Sequence, residues 1–587
     1  MINPYKAHLI EYVKKNFGKN AIEDSNTSNK NIIKVACILD KFSYECFKYE
    51  GDFVQLGTEN WKSIIDSFQP DFLLVESAWE GYENQWINKI ANLHKYRSTS
   101  LLSLIKYCNK QNIPTVFWAK EDPSDFEIFI EAAKHFNYIF TTDSDSIQKY
   151  KNIVIHDKIF LLPFAAQPKI HNPIDKDKMK VGDLAFAGGW YNKFPNRCIE
   201  MENILKPAFK YNLAIFDRFR DKKSKSNLFP KEYQPYIKGS LNYEDILAEY
   251  KKYNIFLNVN SVSNSSSTFS RRVFELLACG TPIISSYAKG IENLFGEIVP
   301  MSKSKNDTDR LISLLLSNKN LRDKLSTLGI REIFSHHTYE HRFSTILDKL
   351  NIENPNKAEE GVSVITCTKR PHSLKNIVDN YASQTYPVKE LIIVINNDAI
   401  DLDLWKEVVK KYKDIKIYKL SEKKSLGECL NFAIDIASYP YISKFDDDDY
   451  YGPSYLIDIM NGFKYTSAGV VGKNTIYAYL ERNNSLVIRY PDKEHQYVTF
   501  IAGSTLTAKK EIFKTMKFPH ISRGEDTQFL IECKNKGIKV YSIDRFNHVI
   551  TRRSDISSHS WQISEDHFMK NSQFVINTLD YKSITTV

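Results

Sequence analysis

Short apolar runs that end in polar or charged residues, each followed by a helical pattern, recur along most of this chain. IIKVACILD (32–40), DFLLVES (71–77), IPTVFWAKED (113–122) and NYIFTTD (137–143) form one series, with segments such as SLLSLIKYCNKQN between them. A second series contains DLAFAGGWYNKFPNR (183–197), LAIFDR (213–218), NIFLNVNS (254–261) and FSRRVFELLACGTPIIS (269–285). A third holds VSVITCT (362–368), ELIIVINND (390–398), IKIYKL (415–420) and the run into FDDDD (445–449). Strands alternating with helices predict parallel, doubly wound α/β sheets, whose ligands bind outside the carboxyl ends of the strands. With 587 residues the chain exceeds what one core can organise. The series divide it into a polar N-terminal extension (1–30), an N-terminal Rossmann-type unit (31–170), a second such unit (171–350), the polar linker NIENPNKAEE (351–360) and a C-terminal unit (361–587).

The net charge of +9 is modest and spread over a chain of this length, with no basic-aromatic array. That argues against nucleic acid as a partner, while suiting an anionic substrate or peripheral contact with a membrane surface. Eight cysteines stand far apart with no CxxC pair, as expected of reduced structural thiols. The N-terminus lacks the apolar core of a signal peptide, and no uninterrupted apolar run of 18 residues occurs. The expected location is the cytoplasm, with docking at the inner face of the membrane compatible with a basic face.

Asp446, Asp447, Asp448 and Asp449 follow a strand directly. Adjacent carboxylates repel one another unless solvent or a cation compensates them. A solvated acidic turn is one outcome. A site for Mg²⁺ or Mn²⁺ with a diphosphate is another, because such ions need only one or two carboxylates plus phosphate oxygens. A calcium loop fits poorly, since Tyr451 and Asp458 fall at ligand positions and a strand precedes the run. Elsewhere, the Gly188-Gly189 turn lets backbone approach a ligand, and Arg197, Arg218, Arg271 and Arg272 offer phosphate contacts. Arg272 and Glu275, three apart on a helix, also suit a plain surface ion pair. Glu525-Asp526 opens a helical pattern, where acids complement the helix dipole.

VFELLACGTPIIS, FAGGWYNKFPNR and LNVNS resemble GT-B glycosyltransferases of the CgeB (spore-maturation) type over roughly residues 31–350. The resemblance implies a pair of Rossmann-type domains binding a nucleotide sugar, with Glu275 on the ribose hydroxyls and Gly188, Gly189, Arg271 and Arg272 toward the donor. Many such enzymes carry a second Glu eight residues earlier; here that position is Ser267.

Residues 362–560 closely resemble family 2 glycosyltransferases of the GT-A fold, because four motifs occur in the family's order: VSVITCTKRPHSL, INND, SLGECLNFAI and KFDDDDYYGPSYL. The resemblance implies that Thr366, Thr368, Arg370 and Asn397 line the nucleotide. It also implies that Asp446 contacts the nucleotide, Asp448 ligates Mn²⁺ or Mg²⁺ and Asp526 is the general base. Asn396 and Asn397 stand where the family has acidic residues. In HVITRRSDISSHSW (548–561), His559 is the expected additional metal ligand. Together the resemblances imply a bifunctional enzyme that moves sugars from nucleotide-sugar donors to a glycan or lipid-linked glycan, in surface polysaccharide synthesis. The alternative is that only the C-terminal half is catalytic and the N-terminal half binds acceptor or partner.

Overall fold

The computed structural model describes residues 32–96, 99–221, 227–355, 360–555 and 563–587. The first six-stranded sheet is wholly parallel, in the spatial order Asp52–Gln55, Lys34–Ile38, Phe72–Glu76, Thr115–Ala119, Tyr138–Thr141 and Ile159–Leu161. All five residues of Phe72–Glu76 and of Thr115–Ala119 are buried, because helices cover both faces of such a sheet.

The second six-stranded sheet is also parallel. Its order is Met301–Ser302, Ile283–Ser286, Tyr253–Asn258, Gly182–Gly188, Leu213–Asp217 and Ile237–Gly239. The order reverses direction between Gly182–Gly188 and Tyr253–Asn258, which opens a crevice at their carboxyl ends. The helix Tyr339–Leu350 then returns to the first sheet. A Thr338–His341 capping box starts it, and a bridge from Ala166 to Thr338 ties it down. Tyr339, Phe343, Ile346 and Leu347 bury themselves among Val35, Phe47 and Trp118. These two sheets are the GT-B-like pair of Rossmann-type domains.

The third sheet has eight strands. Ile415–Lys419, Lys389–Ile395, Val362–Thr368 and Tyr441–Lys444 are parallel, and Thr507–Lys509 then joins antiparallel to the last of them. Val470–Gly472, Val540–Ser542 and Gln496–Val498 complete it. Its switch point lies between Val362–Thr368 and Tyr441–Lys444, so the polar turn after the first and the acidic run after the second share one edge. A smaller five-stranded sheet pairs Tyr450–Tyr451 with His548–Arg552. This mixed α/β unit is the GT-A domain. Its core is continuous with that of the second Rossmann-type unit: Leu276, Ile333 and Phe334 share one buried cluster with Leu456, Ile459 and Tyr541.

Candidate functional site

At the GT-A switch point the four aspartates alternate. Asp447 and Asp449 are buried, whereas Asp446 and Asp448 are half-buried on the other side of the run. The inward pair is tied to protein. Thr368 Oγ1 and an Arg370 guanidinium nitrogen donate to Asp447. Thr551 N donates to Asp449 at 3.2 Å, and His548 Nε2 lies 3.5 Å from its other oxygen. Asn376 and Asn380 amides hold the carbonyls of Asp447 and Asp449. Of the outward pair, Asp448 meets Arg370 at 3.0 Å. Burial, with Asp449 and Asp447 beside it, pushes the Asp448 carboxyl up to about 7, against the pull of Arg370. Burial and Asp446 push Asp449 up to about 8. Burial and mutual repulsion therefore both disfavour full ionisation of the run.

Lys444, two residues before Asp446, is buried and donates to it at 2.5 Å. Burial disfavours its charge, but Asp446, Asp526 and Glu525 outweigh this and hold the ammonium well above the usual lysine range. Asp526 is half-buried in the first turn of the helix Glu525–Asn535. Its carboxylate rests on the backbone of Gly503, where an added Cβ would stand 1.7 Å from Asp526 Oδ2. The loop itself is clamped from below. Asp446 N donates to Tyr451 Oη at 2.8 Å, Tyr451 donates to Ser504 O at 2.7 Å, and its ring stacks on Phe445 at 3.8 Å.

In the N-terminal half, Gly188 ends its strand and Gly189 lies against the Phe219 ring, where a Cβ would not fit. Arg197 donates to Gly189 O (3.0 Å) and Ser261 Oγ (3.1 Å). Burial and the neighbouring Arg272 and Arg218 lower its pKa, against the pull of Tyr191. Buried Arg272 Nε meets no partner among the described residues. Glu275 is 2% exposed. It accepts from Arg271 (2.6 Å), Tyr250 (2.7 Å) and Tyr243 (3.4 Å). Burial alone would raise its pKa, but Arg271, His171 and Tyr250 bring it below the usual carboxylate value. Gln167 N donates to His171 Nδ1, which leaves the Nε2 proton for Tyr243. Burial, with Arg271 nearby and despite Glu275, lowers His171 to about 4. The two Rossmann-type units are stitched together alongside: Ser265 donates to Asp143, and Ser267 and Thr268 donate to Thr142 O.

With this geometry in place, comparison with known families is specific. Residues 363–522 match the model of glycosyl transferase family 2, and residues 208–348 match that of glycosyl transferase-like proteins. The chain carries a family 2 glycosyltransferase module behind a glycosyltransferase-like one. No curated protein matches it by sequence. Among solved structures it is similar to residues 1–349 of S. aureus TarS in complex with UDP-GlcNAc. That likeness is 19% identical, covers 36% of this chain and 64% of that one, and has a TM-score of 0.28. It is also similar to the mannosyltransferase PcManGT from Pyrobaculum calidifontis in complex with GDP-Man and Mn²⁺, at 14% identity, 36% and 60% coverage and a TM-score of 0.27. The chain thus spans about 60% of the length of these proteins.

Within the family 2 module, the structure brings Arg370, Asp446, Asp448 and Asp526 to one sheet edge, linked through Lys444 and Asp447. Thr366 is buried in the strand Val362–Thr368, its hydroxyl without a partner among the described residues. Asn397 instead shapes its own loop, donating to Lys369 O and accepting from Ala399 N. Thr368 and Arg370 reach Asp447, which the motif comparison had passed over. Lys444, Tyr451 and His548 were also missed; a lysine inside an otherwise apolar strand was the available signal for the first. His559 lies outside the described residues. Among the described residues no three His, Cys, Asp or Glu side chains form a cage for a metal ion. Asp446 and Asp448, the outward pair, suit the open mode in which phosphate oxygens complete the shell. In the transferase-like half, Arg271 and Glu275 neutralise each other, and Arg271 also lies over the Phe42 ring at 3.9 Å.

Proposed function

We propose that the family 2 module transfers a sugar from a nucleotide-sugar donor to a hydroxyl of a glycan or lipid-linked glycan, with inversion and with Mn²⁺ or Mg²⁺. The supporting observation is that buried Lys444, hydrogen-bonded to Asp446 at 2.5 Å, is also held charged by Asp526 and Glu525, so the acidic run and the start of the helix Glu525–Asn535 face one another. A divalent ion held by Asp448 and the donor diphosphate would neutralise the leaving nucleoside diphosphate. Thr366, Thr368, Arg370 and Asn397 flank the donor, with Asp446 toward its nucleotide. Asp526 takes the proton from the acceptor hydroxyl. That oxygen bonds to the anomeric carbon from the face opposite the departing diphosphate, so a single displacement inverts the centre. Asp526→Asn should lower transfer at least a hundredfold while donor affinity, measured by calorimetry, stays within a fewfold. Full activity in that variant would sink the assignment of the base.

For the N-terminal half we propose a second, metal-independent nucleotide-sugar site along Gly188, Gly189, Arg271, Arg272 and Glu275. Two sites would make two linkages in succession. A second reading is favoured by one observation: the oxygens of Glu275 are already engaged by Arg271, Tyr250 and Tyr243. On that reading this half binds acceptor or partner, and ribose reaches Glu275 only if Arg271 moves. Glu275→Gln in the full chain separates the two. Loss of one of two product linkages supports a second catalytic site, and an unchanged product with weaker acceptor binding supports a binding module. No helix among the described residues is long and apolar enough to cross a membrane.

A further inference from the structure

We infer that Arg331, in the transferase-like half, is a positioning residue for the acidic loop of the family 2 module. The inference rests on the loop being the donor site proposed above. Arg331 lies on the helix Lys319–His336, which packs on the helix Tyr455–Tyr465 that follows the acidic run. Its Nε and Nη2 donate to the two oxygens of Asp458 at 2.7 and 2.8 Å, a bidentate pair with little exposure on either side. Asp458 Oδ2 also accepts from Asn547 Nδ2 at 2.9 Å.

Asn547 is where the pair reaches the loop. It is fully buried and left-handed (φ 60°). Its carbonyl accepts from Gly452 N at 2.8 Å, and Gly452 sits so close that a Cβ there would meet Asn547 Oδ1 at 2.8 Å. Next to Gly452, Tyr451 receives the amide of Asp446. Next to Asn547, His548 meets Ser504 Oγ at 3.1 Å and Asp449 at 3.5 Å. Strand pairing sets Tyr451 opposite His548. A guanidinium from one module thus fixes an asparagine from which both ends of the aspartate run are held. Around it, Phe334 stacks on Tyr465 at 4.9 Å, Lys464 donates to Phe334 O at 2.8 Å and Asn461 donates to Ser335 Oγ at 3.2 Å. The two helices are therefore seated independently of the ion pair. Removing Arg331 should loosen the loop without parting the modules, because Asp458 and Asn547 would lose the group that fixes their geometry.

The test is amide hydrogen exchange on full-length Arg331→Gln and on the parent, without nucleotide or metal. Peptides covering 445–452 and 547–551 should exchange at least tenfold faster in the variant, while those covering 272–278 stay unchanged. A manganese titration followed by the thermal shift of the same proteins should need about tenfold more Mn²⁺ in the variant. Should Arg331→Gln not yield folded protein, Arg331→Lys carries the same test, with an intermediate effect expected. Folded variant with unchanged exchange at 445–452 would overturn the inference. Faster exchange with no Mn²⁺ response in either protein would leave the positioning role standing and remove the metal assignment of the loop.

Discussion

At the residue scale, Lys444 carries consequences that its two neighbours in the motif do not. Its buried ammonium is held charged by Asp446, Asp526 and Glu525 together. Lys444→Met leaves buried Glu525 and the half-buried Asp446 and Asp526 without this cation, which should cost about 1–3 kcal/mol of stability once solvent screening of the outward pair is counted. The loss should be smaller at pH 5 than at pH 8. Burial already holds Glu525 above the ordinary carboxylate range, despite Lys444, so it takes up a proton as the pH falls. Denaturant titration at the two pH values measures this. Gly503 gives a sharper probe, since a methyl group there cannot coexist with Asp526 in its present place. Gly503→Ala should therefore lower kcat about a hundredfold, the cost of displacing a reacting group by an ångström, with the donor KM little changed. The aspartate run was legible as an acidic stretch at a strand end, whereas Asp526 was singled out only through the resemblance to family 2 enzymes. Lys444 was legible only as an oddity, and Asp447's role not at all, since which aspartate faces inward depends on how Thr368 and Arg370 approach across the sheet.

At the scale of elements, the central parallel strands could be read because each is a short buried run followed by a helix, whereas the edge strands Asp52–Gln55, Ile159–Leu161, Ile237–Gly239 and Met301–Ser302 carry no such signal. The short strands beyond Thr507–Lys509 could not be read either. Val470–Gly472, Gln496–Val498 and Val540–Ser542 are three residues each, too short to show a period, and they pair across long stretches of chain. The return of Tyr339–Leu350 to the first sheet was hidden for another reason: an amphipathic helix shows that it has an apolar face, not which core that face enters. The segment where the chain passes between the two Rossmann-type units holds His171 in a buried, neutral state, hydrogen-bonded to Tyr243. Its folded pKa, about 4, lies below the ordinary value of 6.5. The stability it contributes is present above about pH 6.5 and is lost as the pH falls toward 4, by roughly 1–3 kcal/mol in all. His171→Gln should flatten this part of the stability profile relative to the parent. Parallel profiles for the two proteins would show that folding does not depress the pKa of the His171 ring.

At the scale of the molecule, the two glycosyltransferase modules are joined by more than the linker between them. The shared core sets Phe334 against Tyr465, and the junction is crossed by buried charges. Arg331 pairs with Asp458, while Arg545 of the family 2 module reaches Asp323 at 2.8 Å and Asn320 at 3.0 Å in the other half, with Glu494 at 2.9 Å on its own side. Burial pulls against the charge of Arg545, but Glu494, Tyr477 and Asp323 hold it charged, so the pair is not a loosely solvated surface contact. Asp175 N adds a backbone hydrogen bond to His495 O across the same seam. Buried pairs of this kind are screened little by salt, and an apolar core between them keeps its strength as ionic strength rises. A protease site inserted between Pro355 and Glu360 should therefore cut the chain without separating it. The nicked protein should elute from gel filtration at the mass of the whole at micromolar concentration, both in 0.15 M and in 1 M sodium chloride. Combining the nick with Arg545→Met should weaken the association of the halves, because buried Glu494 then loses its paired cation while Asp323 keeps only the more exposed Lys319. Separation of the singly nicked chain at low salt would mean that the linker alone holds the modules together.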